Sequence, residues 1–176
     1  VMAELRYVPH AAARQLASQK TRVVRLLLNN LHNDFFVPLL NGIEAVVRKH
    51  SYNLVIATYH SEVRDAPPPI GPHNTDGLLV FSDGLTDEDL IALHERKFPI
   101  VLVHRTPPSG LKIPSVTVEN KKITIELIDH LINVHGKRRI LFMRGPIYQE
   151  DSSWREAGYK NALAASKAWP AAMTIP

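Results

Sequence analysis

The run V-V-R-L-L-L at residues 23–28 constrains this chain more than any other stretch. A strand with one solvated face alternates apolar and polar side chains, whereas a nearly continuous apolar run of strand length reads as a strand covered on both faces, the habit of a parallel sheet. Parallel neighbours need a crossover, and a helix is the usual one. The next residues supply it. After the turn N-N-L-H-N-D, the pattern predicts a helix from about Phe36 to Lys49, with Pro38 in its first turn and Leu40, Ile43, Val46 and Val47 as its apolar stripe. A second strand, Leu54 to Tyr59, completes one β-α-β step.

The alternation then breaks at residues 61–74, where Pro67, Pro68 and Pro69 forbid a helix and leave an irregular loop. It resumes with a strand at residues 76–81 and a helix from Asp87 to Arg96, for which Thr86 and Asp89 form a capping box. P-I-V-L-V-H is a fourth strand, followed by a Pro/Gly-rich loop at 106–114 and a short extended piece, S-V-T-V. Asn120 is the expected N-cap of a helix from Lys121 to Val134, with Ile123, Leu127, Leu131 and Val134 facing inward and Gly136 closing it. R-I-L-F-M-R is a fifth strand, and a last helix is expected from about Trp154 to Ala168. Right-handed crossovers between these elements give an α/β fold with a doubly wound parallel sheet.

A chain of 176 residues, 45% hydrophobic and 22% charged, suits one such domain. There is no cysteine, which removes disulfides, thiolate metal sites and thiol nucleophiles together. No apolar run is long enough to span a membrane, and the start V-M-A-E-L-R lacks the layout of a secretory signal, so the expectation is a cytoplasmic protein. Charge is uneven. Residues 1–25 hold Arg6, Arg14, Lys20, Arg22 and Arg25 against Glu4 alone, and the remaining charges balance, so the whole formal net charge of +4 lies at the N-terminal end. That distribution suits an end that faces nucleic acid, or else a solvated cationic tail.

Residues 6–21 are helix-capable: Pro9 suits a first turn and the alanines at 11–13 favour its continuation. A helix of about two turns is marginal alone in water and orders only against a partner. The sequence leaves open whether that partner is its own domain or phosphate.

In doubly wound sheets ligands bind beyond the carboxyl ends of the strands. Those ends carry Asn29, Asn30, Asn33, Asp34 and Phe36, then Ser82 and Asp83, then His104 and Arg105, and last the loop leading to Arg155. The rim is rich in neutral hydrogen-bonders and offers no catalytic pair, so no catalytic residue is nominated. A Rossmann-like enzyme is disfavoured because no G-x-G-x-x-G follows the first strand, and neither G-x-x-x-x-G-K-[ST] nor G-x-S-x-G occurs. His104 and His135 lack an i, i+4 partner with a third ligand, so neither metal nor cofactor is expected. Phe36 is read as a ligand contact with Phe35 anchoring the helix, the bland alternative being that Phe36 is the anchor. Arg155 is a ligand contact or an ordinary helix-start residue, and Lys137, Arg138 and Arg139 a solvated turn or a phosphate site.

At this point the residues resemble the LacI/GalR family of transcriptional repressors over nearly the whole chain. M-A-E-L-R-Y-V-P-H-A-A-A-R-Q-L-A is similar to the end of that family's DNA-binding headpiece plus its hinge helix, and R-L-L-L-N-N-L-H-N-D-F-F to its first strand and effector loop. T-D-G-L-L-V, P-I-V-L-V-H-R, H-L-I-N-V-H-G-K-R-R-I and R-E-A-G-Y-K-N-A-L follow in the family's order. The resemblance implies the N-terminal lobe of a type I periplasmic-binding-protein-like sensor at residues 22–170, preceded by headpiece and hinge at 1–21 and followed by a tail at 171–176. The implied partners are operator DNA, a small-molecule effector of the sugar kind and a second copy in a homodimer. By similarity Leu16 is the minor-groove wedge, with Tyr7, His10 and Ala13 against backbone or groove. Phe36 and Arg155 contact the effector, and Asp83 and His104 line the same pocket. A sugar-binding protein of a transport system shares the fold and is the alternative. The chain departs from the pattern: the helix-turn-helix and second lobe are missing, His10 replaces the usual Asn, Asp34 stands where N-P-F-F has Pro, and His104 where Asp is common. The expectation is a piece trimmed from a longer regulator or a degraded reading frame, its hinge unfolded or casually docked without DNA.

Overall fold

The computed structural model describes residues 20–28, 31, 34–59, 70–82, 84–146, 149–166 and 174–175. The expectations for the hinge at 6–19 and for the Pro67–Pro69 loop lie outside these residues. The chain folds as two units, the first comprising residues up to 103 with 107–115, the second comprising 104–106 and 116 onward.

In the first unit β1 (Val23–Leu28), α1 (Phe36–Lys49), β2 (Asn53–Thr58), β3 (Gly77–Phe81), α2 (Asp87–Glu95) and β4 (Ile100–Val103) follow in order, with β5 (Ser115–Val116) beginning where the unit ends. The sheet order is β2-β1-β3-β4-β5, and β1 runs parallel to β2 and β3, as β3 does to β4. The chain steps to one side of β1 and returns on the other. The order therefore reverses between β1 and β3, where the carboxyl ends of a doubly wound sheet part into a crevice.

Side chains two apart on a strand share a face, and the register divides the core accordingly. Leu27, Val80 and Leu102 lie in one cluster with Leu85 and Leu90 of the α2 region. Leu26, Leu28, Leu79 and Phe81 lie in another with Phe36, Leu39, Leu40 and Ile43 of α1. The sheet is thus covered on both faces, which explains why β1 reads as an apolar run. The stripe expected on α1 shifts slightly: Val46 is 59% exposed and Leu39 takes part instead.

Both helices end alike. Ser51 and Lys97 adopt positive φ (59° and 56°). Ser51 N donates to Arg48 O and Tyr52 N to Val47 O (both 3.0 Å), while Lys97 N donates to His94 O (2.8 Å) and Phe98 N to Leu93 O (3.1 Å). These are Schellman closures with a side chain where glycine is usual. At the start of α2 the expected capping box is present, Asp89 N donating to Thr86 Oγ1 (3.2 Å) and Thr86 N to Asp89 Oδ2 (3.4 Å). Entry to β1 is fixed by Asp76, whose Oδ1 accepts from Thr21 N (2.7 Å) and Thr21 Oγ1 (2.8 Å) and whose Oδ2 accepts from Arg22 N (3.1 Å). Burial alone would raise the Asp76 pKa, but these donors and the Lys20 charge outweigh it and hold the carboxyl below its ordinary value.

The second unit contains α3 (Asn120–Asn133), β6 (Phe142–Met143), α4 (Glu150–Ser166) and β7 (Thr174–Ile175). α3 and α4 bury Ile128, Ile132, Tyr159, Ala162 and Leu163 against one another. Three expectations are corrected here. The inward face of α3 is that of Ile128 and Ile132, whereas Ile123, Leu127 and Val134 are 53%, 55% and 65% exposed. The sequence carries two isoleucine- and leucine-bearing stripes about a third of a turn apart, and α4 selects one. Second, the strand expected at 139–144 shrinks to β6, which pairs in parallel with β7 in a separate two-stranded sheet. The Ile140 carbonyl accepts instead from Tyr159 Oη (2.7 Å), and the Tyr159 ring stacks on Phe142 with centroids 5.1 Å apart. Third, α4 starts at Glu150, four residues before Trp154, where Gln149 O accepts from Ser152 N and Ser153 N and two carboxylates occupy the first turn.

Two glycines matter. Gly136 has φ +61° just beyond α3, and Lys137 N donates to Leu131 O (2.9 Å), closing the helix as expected. Gly158 of α4 faces α3 so closely that a Cβ there would stand 2.5 Å from Lys121 O and 2.9 Å from Thr124 Cβ.

Candidate functional site

At the carboxyl end of β1 the ring that anchors the helix is Phe36, not Phe35 as expected. Phe36 is the anchor, 6% exposed in the cluster with Leu26 and Leu28, and Phe35 is 48% exposed. The reason is helical geometry: Phe36 begins α1 on its sheet-facing side, and the preceding residue points away. Phe35 remains held, its ring edge-on to Phe36 at 5.7 Å and tilted on Phe81 at 6.0 Å. Beyond β3, Ser82 has φ +46° and donates its N–H to Val103 O (2.8 Å). Gly84 approaches so closely that a Cβ would lie 3.2 Å from both Leu27 O and Phe81 O. Asp83, Asn29, Asn30 and Asn33 lie outside the described residues, as do Tyr7, His10, Ala13 and Leu16.

The second unit brings His104 and Arg155 to the same carboxylate. His104, at φ +57°, places Nδ1 3.0 Å from Asp151 Oδ2. Asp151 Oδ1 accepts from Asn120 Nδ2 (2.8 Å), and Asn120 Oδ1 accepts from Arg155 Nε (2.7 Å). Asn120 is thus buried at 6% exposure and used laterally, so it does not cap α3. The residue before the helix, Glu119, makes no side-chain cap either. The Arg155 terminal nitrogen approaches Asp151 Oδ2 only at 3.9 Å with 53% of the side chain exposed, which leaves outward-facing donors of the guanidinium fork.

Beside this network Glu150 accepts from Thr106 N (2.9 Å), Thr106 Oγ1 (2.6 Å) and Trp154 Nε1 (3.0 Å). Burial pushes its pKa up, but these bonds and the Arg105 charge prevail and keep it lowered. A cavity of about 210 Å³ lies among Thr106, Thr117, Asn120, Glu150, Asp151 and Trp154. Closed ligand pockets hold roughly 300–1,000 Å³, so this unit by itself provides a polar wall and not an enclosure. The sequence reasoning missed Asn120, Glu150 and Asp151 as members of the site. The signal was present: Glu150 and Trp154, like Asp151 and Arg155, are spaced i, i+4 and so share a helix face.

Nothing in this wall resembles a nucleophile paired with a base. It consists of fixed donors and acceptors from residues 104–106 and the first turns of α3 and α4, polar groups of the kind that orient a ligand. The family model described as periplasmic binding proteins and sugar binding domain of LacI family matches residues 21–169, and the chain belongs to that family. Catabolite control protein A of Priestia megaterium is 29% identical over 167 residues, covering 92% of this chain and 49% of that protein. The ribose operon repressor of Haemophilus influenzae is 29% identical over 174 residues, covering 95% and 50%. A sugar-binding transcriptional regulator of the LacI family from Escherichia coli, complexed with phosphate, has the same fold with a TM-score of 0.72 at 22% identity, over 88% of this chain and 58% of that one. The chain spans about half the length of the curated relatives it matches. Among the described residues no helix is long and apolar enough to cross a membrane.

Proposed function

We propose that the chain is the effector-sensing lobe, with hinge, of a cytoplasmic DNA-binding transcriptional regulator of repressor type that acts as a homodimer. Its effector is a sugar or related polyhydroxylated metabolite. The observation that carries this reading is the network of His104, Asn120, Asp151 and Arg155, which fixes ionic and neutral hydrogen-bonding groups against one another. Hydroxyl-rich ligands are recognised by such fixed pairs, because each buried donor or acceptor left unmatched costs affinity. His104 and Arg155 are the proposed effector contacts in the second unit. In the first, Asp83 is a proposed contact, and the exposed Phe35, in place of the buried Phe36, is the proposed stacking ring. The names of the relatives, which include a ribose operon repressor, support both the regulatory role and the class of effector.

The proposed switch has two states. Effector binding between two lobes changes how the subunits meet, ordering or releasing paired hinge helices. Each hinge is too short to hold alone. Leu16 is the proposed wedge in the minor groove, flanked by Tyr7, His10 and Ala13.

The test uses the full-length regulator and its operator, with sugars titrated against DNA binding. Arg155→Ala is expected to weaken the sugar response by roughly ten- to a hundredfold, the worth of hydrogen bonds to a charged group, with DNA affinity in the absence of sugar unchanged. Leu16→Ala is expected to reduce operator bending and affinity. Operator affinity that ignores every small molecule bound by the sensor would overturn the switch.

A further inference from the structure

The turn after α3 holds a pair of side chains that the effector site does not use. His130, in the last turn, and His135, beyond it, are both exposed, yet their rings meet edge to face with centroids 4.9 Å apart. Their Nε2 atoms face one another at 3.1 Å. The backbone produces this approach. The His130 carbonyl accepts from both Val134 N (3.0 Å) and His135 N (3.4 Å), and Gly136 at φ +61° turns the chain back, so the second ring folds over the first.

Two neutral imidazoles can meet this way only if one ring carries its proton on Nε2 and the other presents a lone pair there. The same separation suits a metal. Histidine nitrogens bind zinc at about 2.0–2.1 Å, so two adjacent ligands of one ion stand roughly 2.9–3.4 Å apart between octahedral and tetrahedral angles. We propose that His130 and His135 form a two-point chelate for a divalent cation of the borderline class, zinc, nickel or copper. On binding, both Nε2 lone pairs coordinate and the donor ring moves its proton to Nδ1, so no net proton is lost from the neutral pair. Water completes the coordination sphere, since no group of three or more His, Asp or Glu able to hold a metal occurs among the described residues.

The surroundings are mixed in charge. The carbonyls at the end of α3 present the negative pole of its dipole, which favours a cation. Glu126 lies one turn before His130 on the same face. Lys137 and Arg138, exposed in the following turn, oppose it. Hard cations gain nothing from imidazole, so magnesium is excluded by ligand chemistry. A bound ion clips the last turn of α3 to the loop beyond and stabilises the folded chain by mass action.

The experiment is titration of the intact chain with zinc chloride, read by calorimetry and by histidine ring resonances, beside His130→Ala and His135→Ala. Both residues are exposed, so both variants fold. The expected result is one zinc per chain, movement of both ring signals, a rise in unfolding temperature absent with magnesium, and loss of at least about tenfold in affinity in each variant. No zinc binding at roughly millimolar concentration, or wild-type affinity in either variant, overturns the proposal. Retained thermal stability of both variants without zinc separates loss of the chelate from loss of the fold.

Discussion

Replacing Gly158 with alanine sets two well-characterised effects against each other. In a helix interior alanine is better than glycine by about 1 kcal/mol, so propensity alone predicts a more stable chain. The structure predicts the reverse, because the new Cβ would lie 2.5 Å from Lys121 O and 2.9 Å from Thr124 Cβ. A carbonyl belongs to the backbone and cannot rotate away. α3 and α4 must therefore separate by roughly half an ångström to an ångström before the contact reaches the ordinary distance of about 3.5 Å. Overpacking of this kind costs about 1–3 kcal/mol. The expected net effect is destabilisation by up to about 2 kcal/mol, a fall in melting temperature of up to several degrees for a chain of this size. The same opening pulls Asn120 from Asp151 and Arg155, whose bonds to it are 2.8 and 2.7 Å. Gly42 is the internal comparison: it lies in α1 with nothing within 4 Å of the Cβ position, so Gly42→Ala should stabilise by up to about 1 kcal/mol. Urea denaturation of both variants provides the assay. A Gly158→Ala chain as stable as Gly42→Ala would refute the argument from close approach.

Lys97 is held at φ 56° in a position that glycine fills without strain, so Lys97→Gly should raise stability by about 1 kcal/mol in thermal denaturation, less whatever the freer unfolded glycine gives back. Tyr159→Phe removes a single hydroxyl from a fully buried ring and leaves Ile140 O without its partner, which should cost about 1–1.5 kcal/mol in the same assay. Because the Asp76 carboxyl is held below its ordinary value of about 4, its contribution to stability is complete above that pH and disappears as pH falls through the lower folded value. Asp76→Asn should flatten that part of the stability-against-pH curve while leaving the region above pH ~5 parallel to wild type.

The first unit was largely legible because its signals are local. An apolar run, a proline at a helix start and a Thr-x-x-Asp box specify β1, α1 and the start of α2 without reference to anything distant. The second unit was less so. Which of two apolar stripes α3 turns inward depends on the packing of α4, whose close approach at Gly158 lies far along the sequence. Asn120 has the composition of a cap, yet its amide is worth more where it joins two charged groups. For the same reason the sequence offered Arg155 and His104 as candidates but not Asp151, the carboxylate that both approach. That Phe36 and not Phe35 is the buried ring is a matter of one residue, about 100° around the helix, which no periodicity argument resolves at a helix end.

The division of the chain has a consequence for recombination. Residues 104–106 fold with the second unit, 107–115 with the first, and the chain then returns to the second, so the two units exchange sequence at three places. A chimera joined once, at residue 116, would carry a foreign α4 past the resident His104 and Thr106, which contact Asp151 and Glu150. Segments can be exchanged across this boundary with these contacts intact only if that tripeptide travels with the helix it touches.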